Sequence, residues 1–295
     1  MSDVVRSVVP IGVFDGVHRG HQLVLEHAAK SARARNAKVV VVTFHPHPTA
    51  VLAPGHVPPM LVTLDRRIQL LHDHGADDVH VLKFDRALSL QTPQEFIEQV
   101  LIGELAAEQI VVGRNFRFGH RAAGDAAMLR RYDLEVDDVA LLAQGGTISS
   151  TMVRDYVVHG DVEAAATALG RLHLVEGPVV RGDARGRALG FPTANVSVDE
   201  GIAVPQDGVY AGWLTRAEGD RIKAAISVGT NPTFDGVERR VEAYAIDVGH
   251  ELDLYDEHVI VEFGLRLRGM ERFDGVEQLV EQMHRDVAES RTRLH

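Results

Sequence analysis

Four consecutive valines, Val39 to Val42, lie at the centre of the run Lys38 to Phe44 and constrain the fold more than any other stretch of this chain. β-branched side chains favour extended backbone. A run that is apolar at every position, rather than at every second one, reads as a strand buried on both faces, the condition of strands in parallel sheets. Parallel neighbours need crossover connections, usually helices, and the flanking sequence supplies them. Val8, Val9, Ile11 and Val13 read as a strand, followed by a helix starting near Gly20, the strand at Lys38 to Phe44, and a helix from Leu64 to His74. A strand from Asp78 to Leu82, a helix from Pro93 to Gly103 and a strand from Gln109 to Val112 continue the alternation. Strand and helix in turn predict a doubly wound parallel sheet with right-handed crossovers.

The pattern changes near Gly170. A small helix through Ala164 to Leu169 ends at that glycine, a usual helix terminator. Arg171-Leu172-His173 reads as a boundary, giving domains 1–170 and 171–295. With 295 residues, two domains are also the expectation from length. Beyond the boundary come short β-rich runs: Val175 to Arg181, Gly208 to Thr215, Arg221 to Val228, Arg240 to Val248 and Val259 to Arg268. Gly and Pro turns separate them, predicting a small antiparallel β-barrel. An amphipathic helix from Val276 to Ser290, with Leu279, Val280 and Met283 on one face, closes the chain.

Chemistry concentrates where the predicted parallel strands end, which is where open α/β sheets place ligands. Directly after the first strand comes Gly12-Val13-Phe14-Asp15-Gly16-Val17-His18-Arg19-Gly20-His21. A helix N-terminus there presents unpaired amides and a positive dipole end, so phosphate is a natural guest. Gly12, Gly16 and Gly20 permit close backbone approach, and His18 and His21 can donate to phosphate oxygens. Histidines three apart also serve as zinc ligands, but the chain has no cysteine and no third ligand at the usual spacing. They also occur as solvent-facing turn residues.

Three other segments compete with plainer readings. Thr43-Phe44-His45-Pro46-His47-Pro48 ends the valine strand. Gly113 to Gly119, with Asn115, Phe116 and Arg117, then Gly124-Asp125, offers amides, a cation and stacking faces. It also reads as an ordinary loop with Phe116 and Phe118 tucked inward. Ile148 to Arg154 opens a helix reaching Val158. Ser150 and Thr151 can be caps there or phosphate ligands, with Arg154 one turn further in.

In the second half the dense motif is Gly186-Arg187-Ala188-Leu189-Gly190-Phe191-Pro192-Thr193-Ala194-Asn195. Thr193 and Asn195 present a hydroxyl and an amide oxygen on one side of an extended segment. Such hard oxygens suit Mg²⁺ bridging ATP phosphates, though a turn satisfying its own backbone is the plainer reading. In Arg240 to Asp247, period-2 alternation puts Glu242, Tyr244 and Ile246 on one face and Val241, Ala243 and Ala245 on the other.

Gly12–His21 matches the G-x-F-D-x-x-H-x-G-H pattern of the nucleotidyltransferase superfamily. With Thr43–Pro48, Gly113–Asp125 and Ile148–Arg154, it resembles the Rossmann-like adenylyltransferase domain of the prokaryotic bifunctional riboflavin kinase/FAD synthetase family. Gly186–Asn195, Gly229-Thr230-Asn231-Pro232-Thr233-Phe234 and the strand bearing Glu242 are similar to that family's riboflavin kinase signatures. Ile148 and Ser149 stand where other nucleotidyltransferases carry a lysine. That leaves Arg154 as the basic contact and points to the flavin branch.

The resemblance implies phosphorylation of riboflavin by ATP in the second domain and adenylylation of FMN to FAD, releasing pyrophosphate, in the first. It implies catalytic roles for His18, His21, Arg154 and Glu242, the last as general base for the ribityl 5′-hydroxyl. Nucleotide contacts fall on Gly12, Phe14, Asp15, Gly20, Ser150, Thr151, Gly186, Gly190, Pro192 and Thr193. Flavin contacts fall on Phe44, Pro46, Asn115, Phe116, Arg117, Arg268 and Phe273, and Mg²⁺ on Thr193 and Asn195.

Charge bounds the partners. Thirty-one Lys and Arg against 42 Asp and Glu leave a net charge of −11, without the clustered cations that phosphate-backbone binding needs. Nucleic acid is therefore not an expected partner. Without cysteines, a signal pattern or an apolar run of roughly 18–20 residues, the expectation is a cytoplasmic chain with no membrane association. Monomer and self-assembling oligomer both remain open.

Overall fold

The computed structural model describes residues 6–294, apart from 115, 141, 144–145, 183–185, 187–188, 234–235 and 249–252. The chain packs as two units, one formed by 1–58 and 63–150, the other by 59–62 and 151–295. The expected boundary followed residue 170; by packing, the helices after Ser150 join the second unit.

The first unit is a five-stranded parallel sheet. Its strands are Ser7–Pro10 (β1), Lys38–His45 (β2), Asp78–Lys83 (β3), Ala107–Gly113 (β4) and Glu135–Val139 (β5). They lie in the order β3-β2-β1-β4-β5. Val8 pairs with Val39, Val9 with Ile110, Val41 with Val79, and Ile110 with Val136. Strand order reverses between β1 and β4, so the carboxyl ends of those two strands flank the crevice where doubly wound sheets take ligands.

Helix Arg19–Arg35 (α1) buries Val24, Leu25, Ala28 and Ala32. A fully enclosed leucine such as Leu25 contributes about 2 kcal/mol. Thr63 caps helix Leu64–Asp73 (α2) by accepting from the Arg66 amide at 3.2 Å. Thr92 and Glu95 form a reciprocal capping box ahead of the wide-wound helix Phe96–Glu104 (α3). Phe96, Ile97, Val100 and Leu101 from α3 share a core with Val9, Val42 and Ile110.

Two departures from expectation have local causes. β1 stops at Pro10 rather than Val13, because the chain turns out of the sheet after Ile11, whose last link is a bridge to Val42. The fifth strand was not anticipated. Its sequence Glu-Val-Asp-Asp-Val carries three carboxylates, a composition tolerated only at a sheet edge, and it pairs with β4 alone.

In the second unit, helices Ser150–Val158 (α4) and Val162–Leu169 (α5) precede six antiparallel strands. These are His173–Val180 (β6), Thr193–Val196 (β7), Gly208–Thr215 (β8), Arg221–Thr233 (β9), Gly236–Ala245 (β10) and His258–Arg268 (β11). They close into a barrel in the order β6-β7-β10-β9-β8-β11, with β11 returning to β6. Val175, Val196, Tyr210, Leu214, Ile226, Val241, Ala243 and Phe263 fill its interior.

The C-terminal helix Val276–Arg293 (α6) buries Asp286 and Ser290, while the predicted stripe of Leu279, Val280 and Met283 is only half covered. A polar anchor thus fixes α6, and its source is a strand end of the barrel, described below.

Two candidate active sites

The first site begins where β1 ends. Between the strand and α1, the chain holds Phe14 and Val17 at φ 53° and 39°, left-handed values that bulky side chains adopt only when the surroundings enforce them. The turn thereby swings His18 to the N-cap of α1. There its Nδ1 accepts from the His21 amide at 3.4 Å. The two imidazoles stack with centroids 3.6 Å apart, and Phe14 meets His21 edge-on at 5.1 Å. A Cβ at Gly20 would stand 3.1 Å from the His18 ring, so glycine is what lets the turn pass this close.

With Nδ1 facing the His21 amide, His18 has Nε2 as its other ring nitrogen for a ligand. Burial, reinforced by His18 and Arg67, holds His21 well below the usual imidazole range, so its imidazole is neutral near pH 7. His21 Nδ1 has no hydrogen-bond partner among the described residues. Two stacked imidazoles beside a positive helix end suit an anionic guest whose charge grows during reaction.

The other residues predicted for this site fall on several segments. The Ser150 hydroxyl donates to the Asp15 carbonyl at 3.0 Å, and Asp15 itself is 1% exposed. Gly12 adjoins the Phe14 ring. Phe44, at the end of β2, meets Phe84 edge-on at 5.9 Å, and Pro46 follows a cis peptide bond. Phe116 is half-buried and stacks on the buried Phe118 at 5.6 Å, and both join the core, as in the plainer reading of that loop. Arg117 is exposed and pairs with Asp125 at 2.9 Å. Asn115 lies outside the described residues. Thr151 is exposed and Arg154 half-buried on α4, in the portion that packs with the second unit.

The sequence reading missed Arg67. This residue of α2 is 1% exposed, and its guanidinium donates to the carbonyls of Val13 at 2.8 Å and Phe44 at 3.1 Å. Burial pushes its pKa down, opposed by the neighbouring Asp15. In sequence it is one of two adjacent arginines on an amphipathic helix, where a solvated side chain is the default.

The second site lies on the outer face of the barrel. On β7, Ala194 and Val196 point into the core, leaving Thr193 and Asn195 on the opposite face. On β10, Val241 and Ala243 point inward, which puts Glu242 and Tyr244 outward beside them. Asn195 pairs directly with Glu242 across the strands, and the Thr193 hydroxyl donates to the Glu242 carboxylate at 3.2 Å. A Cβ at Gly182 would fall 2.5 Å from the Asn195 amide, so any larger residue there would force that amide to move.

The loop entering β7 is tied at Gly186, whose carbonyl accepts from Leu189 and Phe191, and it turns at Gly190 with φ 87°. Phe191, followed by Pro192, is buried edge-on against Tyr244 at 5.2 Å and His284 of α6 at 4.9 Å. Phe234 lies outside the described residues.

Arg268, at the end of β11, grips Asp286 of α6 through two bonds of 3.0 and 2.7 Å. It also lies 5.9 Å from the Phe273 ring centre. Asp286 raises the Arg268 pKa. Arg268 thus ties α6 to the end of β11, with Phe273 beside it.

Both sites suit phosphate chemistry, one through a helix N-terminus and imidazoles, the other through hard oxygens. A chain with such sites on an open α/β domain and on a closed barrel falls in the class of two-domain phosphorus-transferring enzymes. A family model described as FAD synthetase matches residues 2–152, and one described as riboflavin kinase matches 169–294. The bifunctional riboflavin kinase/FMN adenylyltransferase of Escherichia coli K12 is 34% identical over 284 residues, covering 95% of this chain and 90% of that one. That of Bacillus subtilis 168 is 34% identical, covering 97% and 92%. A solved Streptococcus pneumoniae structure, described as a macrolide-efflux protein, superposes with a TM-score of 0.90 at 36% identity, covering 97% of this chain and 94% of that one. Among the described residues no helix is long and apolar enough to cross a membrane. The chain belongs to the bifunctional riboflavin kinase/FMN adenylyltransferase family.

Proposed function

We propose that the chain makes FAD from riboflavin in two steps, at two separate sites, in the cytoplasm. The Thr193–Asn195–Glu242 face supports the first step most directly, because a carboxylate there stands beside two hard oxygens. Glu242 accepts the proton of the ribityl 5′-hydroxyl as its oxygen bonds to the γ-phosphorus of ATP, and ADP leaves. Thr193 and Asn195 form a donor set of hard oxygens that fits Mg²⁺ arriving with ATP. Bound there, the ion neutralises phosphate charge.

In the second step an FMN phosphate oxygen bonds to the α-phosphorus of ATP, and the bond to the β-phosphate oxygen breaks. His18 and His21, at the positive end of α1, donate to the phosphate oxygens where charge builds, and pyrophosphate leaves. Gly12, Phe14, Asp15, Gly20 and Ser150 shape that turn, and Thr151 and Arg154 follow on α4. Phe44, Pro46, Asn115, Phe116 and Arg117 form the flavin side. Gly186, Gly190 and Pro192 set the nucleotide loop of the barrel, and Arg268 and Phe273 its flavin side. The catalytic domains run 1–170 and 171–295.

Incubation with riboflavin, ATP and Mg²⁺, followed by separation of FMN, FAD and ADP, tests this reading. Both flavin products should form, with ADP. FAD from supplied FMN but no ADP from riboflavin would reduce the barrel to a binding domain.

A further inference from the structure

We propose that Arg67 is a positioning residue for adenylyl transfer. Its guanidinium bridges the ends of two neighbouring strands and so sets the distance between the imidazole turn and the loop that begins at Phe44. The inference rests on reading the first site as the adenylylation site.

Three observations carry it. The two acceptors are the carbonyls of Val13, in the turn after β1, and of Phe44, one residue before β2 ends. Thr43 also donates its hydroxyl to the Val13 carbonyl, at 2.9 Å, so this junction is tied twice. Finally, Arg67 is 1% exposed, with Nε unpartnered among the described residues.

A buried guanidinium with an unsatisfied N–H is a poor device for stability, since desolvation offsets much of what its bonds return. An apolar side chain of similar volume would pack α2 onto the sheet more cheaply. What arginine adds is a rigid planar fork that fixes the spacing of two carbonyls; lysine, a point charge on a flexible stem, has no such fixed geometry. It also sets a positive charge near the buried Asp15 of the same turn. The consequence is geometric: displacing a reacting group by about 1 Å can cost roughly 100-fold in rate.

The test compares Arg67→Lys and Arg67→Met with the unaltered full chain. Each is assayed for FAD formation from supplied FMN and ATP and, in the same preparation, for FMN formation from riboflavin. Arg67→Met should lower kcat for FAD formation about 100-fold with KM for ATP changed less than about threefold. Arg67→Lys, which keeps the charge but not the fork, should fall about tenfold. Riboflavin phosphorylation should stay within twofold in both, and the far-UV circular dichroism of the full chain should match that of the unaltered protein, showing that the first unit remains folded. FAD formation by folded Arg67→Met within twofold of the unaltered chain would overturn the proposal. So would full activity in Arg67→Lys, because charge alone would then suffice. If Arg67→Met does not fold, Arg67→Lys decides by the same criterion. His21→Ala serves as the control for the underlying reading: unchanged FAD formation in it would remove the site assignment itself, whatever the Arg67 variants do.

Discussion

The Thr193 hydroxyl points at the Glu242 carboxylate across 3.2 Å, from a neighbouring strand of the barrel and on its outer face. A carboxylate that takes one hydroxyl among the described residues, next to an amide, keeps lone pairs for a substrate proton. The barrel core lies directly behind it, through Val241 and Ala243, so the strand that carries Glu242 is fixed by packing.

Glu242→Gln should therefore lower FMN formation from riboflavin by about 10²- to 10⁴-fold, the usual contribution of a general base. FAD formation from supplied FMN should persist. Chromatographic separation of the flavins at fixed times reads both rates, and loss of both activities in a folded variant would contradict two separate sites.

His21→Ala should show the reverse selectivity. Loss of one donor to developing negative charge costs roughly 10²- to 10³-fold. Pyrophosphate release with FMN and ATP should drop by that factor, while ADP production with riboflavin stays unchanged.

Asp286→Ala should loosen α6. It leaves the Arg268 guanidinium, whose side chain is 17% exposed, without its fork partner, and removing one member of a buried pair costs about 3 kcal/mol. Trp213, the chain's one tryptophan, lies on barrel strand β8, so its fluorescence during urea unfolding reads the loss. A midpoint equal to that of the unaltered chain would refute the anchoring role.

His173 makes the barrel acid-sensitive. Buried in β6, with Nε2 on the Ala203 carbonyl at 2.9 Å, it has its pKa lowered from 6.5 to about 4, mainly by burial. The folded state then binds fewer protons than the unfolded one between those values. Its stabilising contribution is complete above pH 6.5 and is lost as pH falls towards about 4. At pH 5 the loss is about 2 kcal/mol. The Trp213 unfolding midpoint should fall from pH 7 to pH 5 by more in the unaltered chain than in His173→Gln. Equal falls would contradict this account.

Sequence by itself determined the two domain types, because each rests on local periodicity. Continuous β-branched runs alternating with helical patterns demand a parallel sheet, and short runs broken by Gly and Pro demand an antiparallel barrel. It also determined the turn carrying His18 and His21, since glycine spacing and a helix start are features of adjacent residues. The same holds for Thr193 and Asn195, which period-2 geometry puts on one side.

Tertiary structure decided whatever depends on partners distant in the chain. The edge strand Glu135–Val139 is legible only once β4 is there to pair with it. Arg268 reads from its motif as a flavin contact, yet its fork closes on Asp286, 18 residues away. Arg67 is the clearest case. Nothing local separates it from Arg66, but the folded sheet converges two carbonyl groups on one of the two neighbours and leaves the other half-exposed on the far side. A charge is buried or solvated according to what surrounds it in space, and that is set by packing over tens of residues rather than by its neighbours in sequence.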